Sequence, residues 1–397
     1  MKKGWQKRSI DDICVFRGGG TPSKAKDSYW KGDIPWVSPK DMKFDIITDS
    51  IDHISAEAIE QSTTNLIAAG SILVVVRSGI LARTIPVAIT GRDVTINQDI
   101  KALCPDSTVD AWFLFYFLKS RLEEMLSLAS RGATVHRIMA DQIRTMEILV
   151  PQLPEQRRIV GILDEAFAGI ATAKANAEKN RQNARALFES HLQAVFAKRG
   201  KGWVEKRLDE IAKVFGRGKS RHRPRNEPTL YGGKYPFIQT GDVRNAGLLV
   251  ESYSQTYSEL GLAQSKLWPA GTVCITIAAN IAETAILSFD ACIPDSIIGV
   301  VVDGTTADNK FVLYLLKSFK AHLQAQGKGS AQDNINVGTF ENQSFPFPPL
   351  SVQCGIAATL DSLAEEIQRL ESLYQRKLAA LDELKKSLLH RAFSGEL

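Results

Sequence analysis

The chain repeats itself at a spacing of roughly 200 residues, and no other feature restricts its fold as strongly, because a duplicated sequence must fold as two copies of one architecture. GWQKRSIDDI, beginning at Gly4, returns as GWVEKRLDEI at Gly202. GDIPWVSPKDM, from Gly32, returns as GKYPFIQTGDV from Gly233. The correspondence continues in order: AAGSILVVV (68–76) with PAGTVCITI (269–277), FYFLKS (115–120) with LYLLKS (313–318), and PQLPEQ (151–156) with PPLSVQ (348–353). Between these blocks the copies diverge, as expected of one scaffold whose loops carry two different surface chemistries.

Within each copy, short β-branched runs at 72–76, 273–277 and 297–302 read as strands. They are punctuated by Gly and Pro turns and joined by one helix, over 112–128 in the first copy and 310–326 in the second. Each copy is therefore expected to be an α+β globular unit. The strands are too irregularly spaced for their order to be derived.

Each copy closes on a long helical pattern. Ile159, Leu163, Ala166, Ile170, Ala173, Ala177, Ala184 and Leu187 recur at three- and four-residue steps. Ile356, Leu360, Leu363, Ile367, Leu370, Tyr374, Leu381, Leu384 and Leu388 do the same, the two stripes being offset by 197 positions. Each helix of about 40 residues spans roughly 60 Å. Small residues in one stripe face the register of Leu or Tyr in the other, which suits interdigitation. The expected fold is thus α+β, with two pseudo-symmetric globular domains separated by a pair of long antiparallel coiled-coil helices.

Composition narrows the functional classes only gently. A formal charge of +5 permits an anionic partner without demanding one. Cys14, Cys104, Cys274, Cys292 and Cys354 contain no CxxC pair, which suits reduced thiols in a cytoplasm. MKKGWQKRSI lacks the apolar stretch of a signal peptide, and no run approaches a membrane span, so a cytoplasmic protein without a membrane partner is expected. His53, His136, His191, His222, His322 and His390 are dispersed without metal-ligand spacing, and no metal site is expected. Gly218-Lys219-Ser220 imitates the end of a P-loop, but the first glycine of that motif would fall on Lys213. Glu383 and Lys385 imitate a nuclease E-x-K, yet residues two apart on a helix do not share a face. Neither an NPPY-like tetrapeptide nor a GxGxxG after a strand is present.

Two variable domains, each opened by a Trp and an [IL]-[DE]-[DE]-I block and each followed by a long helix, resemble the specificity subunit of type I restriction-modification systems. The most telling pieces are GDIPWVSPKDM, the PQLPEQRRI run from Pro151 to Ile159 and the terminal LLHRAFSGEL from Leu388. The resemblance spans essentially the whole chain. It implies target recognition domains at 1–150 and 201–347, with spacer helices at 151–200 and 348–397. Each recognition domain would read one half of an asymmetric bipartite site on double-stranded DNA. The helices would set the gap and dock partners, in keeping with the rule that linked readers address grooves a whole number of turns apart. The implied partners are two modification subunits, which methylate adenine, and two restriction-translocation subunits. S-adenosylmethionine, ATP and Mg are implied for those partners and no cofactor for this chain, which would catalyse nothing itself.

Phosphate anchoring needs Lys, Arg and small polar groups on exposed loops, and base readout needs Arg, Asn, Gln or similar groups. RGKSRHRPR offers Arg217, Lys219, Arg221, Arg223 and Arg225 without an intervening acid. Its counterpart RGGGTPSKAK offers Arg17, Thr21, Lys24 and Lys26 on a glycine-rich loop suited to close approach to a phosphate. A second pair of loops places Ser38, Lys40 and Asp41 opposite Gln239, Thr240 and Asp242. A third pair offers Thr134, His136 and Arg137, and Ser330, Gln332 and Asn334. Arg77, Ser78 and Asn280 form a fourth group. A coiled-coil scaffold whose globular ends bind proteins is the competing reading, and an interaction insensitive to salt would favour it.

Overall fold

The computed structural model describes residues 4–130, 135–221, 224, 226–327, 338, 340 and 342–397. It divides into two compact units, Met1–Glu178 with Arg376–Leu397, and Lys179–Gln375.

In the first unit the run Ile72–Val75 is buried at all four positions, as a strand covered on both faces requires. It lies at the centre of a five-stranded sheet in the order Cys14–Gly18, Ile100–Pro105, Ile72–Val75, Val87–Thr90, Ile46–Ile47. A second sheet runs Asp52–Ile54, Ile34–Val37, Val94–Ile96, Leu66–Ile67. The opening strand Gln6–Ser9 pairs antiparallel with Glu147–Val150, so the first and last strands meet just before the long helix. Between them Ser9 caps the short helix Ile10–Ile13: its hydroxyl accepts from Asp12 N–H, and Ser9 N–H donates to the Asp12 carboxylate at 2.8 Å. Ile10 and Ile13 enter the core, which explains why the [IL]-[DE]-[DE]-I block recurs.

The second unit repeats this plan strand for strand. Its five-stranded sheet runs Ala212–Arg217, Ile297–Val302, Val273–Thr276, Thr284–Leu287, Leu249–Val250. Its four-stranded sheet runs Gln255–Tyr257, Tyr231–Phe237, Ala291–Cys292, Leu267–Trp268, and Val204–Lys206 pairs with Phe345–Phe347. The helix expected over 112–128 is two helices, Ala111–Ser120 and Leu122–Leu128. Arg121 closes the first with a tight bond from its N–H to Leu118 O and leaves helical backbone angles. Its counterpart, Asn309–Gly327, runs unbroken.

The long helices are Leu153–Ala197 and Leu350–Ser394. In the first unit Arg158 donates to Leu397 O at 3.0 Å and Lys174 pairs with Asp382 at 2.7 Å, so the helices run antiparallel there. Phe393 packs edge-on against Phe113 and Phe117, with ring centroids 5.0 and 5.5 Å apart. In the second unit Arg185 pairs with Glu371, while Leu192 and Phe196 share a core with Ala357 and Leu360, again antiparallel.

The apolar stripes need one correction. Leu163, Ile170, Ala177, Ala184, Leu360 and Ile367 are buried as expected, but Leu187 is 60% exposed, Leu370 36% and Leu384 47%. One residue later, Phe188 and Glu371 are half-buried, and Lys385, though exposed, reaches back across the apolar surface. Glu371 pairs with Arg185, and the Lys385 ammonium lies 4.9 Å from the Phe167 ring centroid. Long charged side chains can lay their stems across apolar surface, so a pattern of hydrophobic letters alone selects the neighbouring leucine.

Candidate nucleic-acid interface

In the first unit the loop that leaves strand Cys14–Gly18 is pinned from several sides. Gly20 N–H donates to Ile96 O at 3.0 Å, Trp36 Nε1 donates to Gly20 O at 2.9 Å, and Asn65 Nδ2 donates to Gly18 O at 3.2 Å. A Cβ on Gly19 would lie 1.9 Å from Ile96 O. That glycine therefore serves an approach to the protein's own backbone rather than to a phosphate. Farther along the loop Thr21 Oγ1 donates to Gln98 Oε1 at 2.6 Å, and Lys24 and Arg17 are exposed. Lys26 is tied to Glu57 at 2.6 Å and lies 4.3 Å from the Tyr29 ring centroid; its pKa is raised, chiefly by the Glu57 hydrogen bond.

The other candidate loops of this unit gather at the same place. The turn at 97–99 holds two of them directly: Asn97 N–H donates to Val37 O at 2.9 Å, at the start of the 38–41 turn, and Arg77 Nε meets the Asp99 carboxylate at 2.6 Å. The strands Arg77–Ser78 and His136–Arg137 form a two-stranded ribbon, with His136 opposite Ser78 and Arg137 opposite Arg77. Three loops scattered in sequence thus meet around Gln98 and Asp99, neither of which stood out in the sequence, and the fourth joins them through the ribbon. Ser38 differs from its expected place on the surface. It is buried, and its N–H and hydroxyl both donate to Asp41 Oδ2 at 2.8 Å, so it builds the turn instead of presenting a polar group outward. Lys40, on that turn, is exposed and paired with Asp52 at 2.9 Å, a contact that raises its pKa.

In the second unit the hub is the turn at 294–296. Gly218 N–H donates to Ile297 O at 2.9 Å, Lys219 N–H to Ile293 O at 3.1 Å, Arg217 Nε to Asp295 O at 2.6 Å, and Ile277 N–H to Ser296 O at 2.9 Å. Gly218 repeats Gly19, since a Cβ there would lie 2.1 Å from Ile293 O. Arg221 is exposed, and its N–H donates to Gln264 Oε1 at 2.6 Å. Lys266 lies 4.1 Å from the Trp268 ring centroid, with its pKa lowered by burial and further by the Lys219 charge. Asn280 accepts from Arg244 at 3.2 Å on a loop where Ala279 and Ala282 both hold positive φ, 64° and 62°. An open cavity of about 390 Å³ is lined by Ser220, Asn226, Gln239, Thr240, Gln255 and Ser296, with Tyr231 and Phe237 among its apolar residues. Thr134, Arg223, Arg225, Ser330, Gln332 and Asn334 lie outside the described residues, as does His222.

Sequence comparison of INQDI with IPDSI, each just before a central strand, was the signal that could have found the two hub turns. Asp52, Gln255 and Arg244 were missed because each is a single polar residue without a motif. Among the described residues no group of three or more His, Cys, Asp or Glu could hold a metal ion, and no helix is long and apolar enough to cross a membrane. All five cysteines are free thiols.

The family described as type I restriction modification DNA specificity domain matches this chain twice, at residues 2–180 and 200–376. The EcoR124I/EcoR124II specificity subunit of Escherichia coli is 40% identical over 160 residues, which is 40% of this chain and 40% of that protein. The MjaIX specificity subunit of Methanocaldococcus jannaschii is 25% identical across 100% of this chain and 94% of its own length. Among solved structures, a chain from a study of complex assembly and conformational transition of the type I R-M system superposes with a TM-score of 0.81 at 19% identity, covering 100% of this chain and 99% of that one. The HsdS subunit from Thermoanaerobacter tengcongensis gives 0.66 at 18% identity, covering 100% and 98%. With the duplicated fold, the matched loop hubs and two family matches in one chain, the protein belongs to the type I restriction-modification DNA specificity family, as a specificity subunit with two recognition domains.

Proposed function

We propose that each unit reads one half of an asymmetric bipartite site on double-stranded DNA through the loops gathered at its hub turn, 97–99 in one and 294–296 in the other. The observation that carries this reading is the convergence itself. Loops far apart in sequence and rich in Lys, Arg, Asn, Gln and Thr meet at equivalent points of both units, while their side chains differ. Arg17, Lys24, Arg217, Lys219 and Arg221 anchor phosphates in this reading, and Lys219 with Lys266 forms a like-charge pair that an anion would relieve. Arg77, Ser78, His136 and Arg137 approach the duplex as a ribbon. The recognition domains are 1–150 and 201–347, and the helical segments 151–200 and 348–397 set the spacing and dock the partners.

Those partners are two modification subunits, which bring S-adenosylmethionine, and two restriction-translocation subunits, which bring ATP and Mg. The complex works in the cytoplasm, and this chain supplies recognition without chemistry. The test is to assemble the chain with a modification subunit and sequence the methylated bases. A single bipartite motif supports the reading, and methylation without sequence preference refutes it.

A further inference from the structure

Beneath the second pair of candidate loops the two units share a frame. Strand Ile34–Val37 pairs with Asp52–Ile54 so that Trp36 faces Asp52, and Tyr231–Phe237 pairs with Gln255–Tyr257 so that Phe237 faces Gln255. The turn after each central strand is held by one aspartate. Asp41 accepts from Ser38 N–H at 2.8 Å and from Ile51 N–H at 3.0 Å, and Asp242 accepts from Gln239 N–H at 2.8 Å and from the Ser254 hydroxyl at 3.3 Å. Ser55 and Ser258 then cap equivalent short helices. By this register Asp52 and Gln255 occupy the same scaffold position.

On that common frame the outward groups differ in kind. In the first unit Lys40 reaches Asp52 at 2.9 Å, with the two side chains 53% and 38% exposed. In the second unit, glycine (Gly241) stands in place of Lys40, and Gln239 Nε2 donates to Gln255 Oε1 at 2.6 Å at the wall of the 390 Å³ cavity. An exposed ion pair contributes little stability, so fold maintenance does not account for an ion pair in one copy and a carboxamide pair in the other. Their remaining hydrogen-bonding capacity is different and specific. Beyond the bond between them, Gln239 Oε1 retains acceptor capacity and Gln255 Nε2 retains donor capacity, so the pair offers both an acceptor and a donor. That is the complement of the adenine N6 amine and N7 in the major groove. Lys40 retains ammonium donors suited to guanine O6 and N7, and Asp52 retains acceptor capacity suited to the cytosine N4 amine.

We propose that Lys40–Asp52 and Gln239–Gln255 are the equivalent base-reading pairs of the two recognition domains, taking a G·C pair in the first and an A·T pair in the second. The inference rests on the DNA-recognition reading above and adds to it the residues and the base-pair class.

The experiment uses the full chain assembled with modification subunits, and reads methylated motifs from a library of random duplexes. Gln255→Ala should make one A·T position degenerate in one half-site, with discrimination falling roughly 5- to 150-fold, and leave the other half-site intact. Asp52→Ala should do the same at one G·C position of the opposite half-site. The exchange Gln239→Ser, Gly241→Lys, Gln255→Asp should convert that A·T position to G·C, a gain that damage to folding could not produce. An unchanged motif, or a uniform loss of methylation at every sequence, overturns the assignment while the wild-type motif keeps the recognition reading standing. A wild-type complex with no bipartite motif overturns that reading and this inference together.

Discussion

The carboxamide of Gln156 accepts the backbone N–H of Asp110 at 2.8 Å, and its nitrogen donates to Thr108 O at 2.9 Å and Pro151 O at 2.8 Å. Gln353 repeats every bond, accepting from Asp308 N–H at 3.1 Å and donating to Thr306 O and Pro348 O at 3.3 and 2.9 Å. Both side chains are essentially sealed from solvent, at 0% and 1%. Each ties the start of a long helix to the loop before its unit's central helix. Replacing Gln156 with leucine leaves three backbone groups without that partner, and an expected loss of about 3 kcal/mol follows from the usual cost of such groups. Hydrogen exchange should show opening around Asp110 in Gln156→Leu and around Asp308 in Gln353→Leu, each variant leaving the other unit protected.

The corrected helix seam reverses the sequence pattern at two leucines, for the pattern includes Leu187 and passes over Leu192. Leu192 is fully buried, and Leu192→Ala should cost about 3 kcal/mol by loss of packing and creation of a cavity. Leu187 faces solvent, and Leu187→Ala should change stability by no more than about 0.5 kcal/mol. Urea unfolding of the two variants measures the difference.

Gly19 and Gly218 should tolerate no side chain. A methyl group at either position collides with a backbone carbonyl, and an overpacking cost of about 2 kcal/mol is expected because the strand itself must move. Thermal unfolding of Gly19→Ala and Gly218→Ala checks this. Gly241, which has open space around its Cβ position, serves as the silent control.

If Lys219 and Arg221 contact phosphates, removing both charges should weaken binding to all duplexes alike. The slope of log affinity against log salt concentration should become shallower by about 2. A titration of the Lys219→Ala, Arg221→Ala variant across salt concentrations measures it, and an unchanged slope removes that loop from the interface.

Thiol chemistry should distinguish the cysteines. Burial raises the Cys14 thiol to about 12, helped by nearby Asp106, and burial alone raises Cys274 to about 12, whereas Cys354 is exposed. A disulfide reagent at pH 8 should therefore modify Cys354 first, and Cys354→Ser should abolish that rapid phase. The sign for stability follows from the same shift. The two buried thiols stay protonated in the fold while the unfolded chain ionises above pH 9, so their contribution is intact below that pH and falls as pH rises toward 12.

The doubled architecture was legible because its evidence is long-range. Blocks such as GWQKRSIDDI and GWVEKRLDEI keep their order, and their isoleucines and leucines enter matching cores. Strand order was not legible, since Asp52–Ile54, three residues long, and Ile46–Ile47, two, leave no periodicity to read. Among the candidate contacts, Arg77 and His136 looked unrelated in sequence, and only the pairing of their short strands brings them together. Ser38 misled because serine in a turn serves the backbone as readily as a ligand. Asp52 escaped notice because its meaning lies in what Lys40 and Gln255 do at the same register.

The helix segment that completes the first unit has a consequence for the order of synthesis. Leu389, Ala392 and Phe393 belong to the same core as Phe113 and Phe117, although the whole second unit intervenes in the chain. A nascent first unit therefore exposes an aromatic groove throughout translation of everything that follows it. Contacts so distant in sequence close slowly, and open apolar surface during that interval invites association with other unfinished chains. The second unit, built from the continuous stretch Lys179–Gln375, carries no such debt, so it is expected to reach its native core first and the N-terminal unit last.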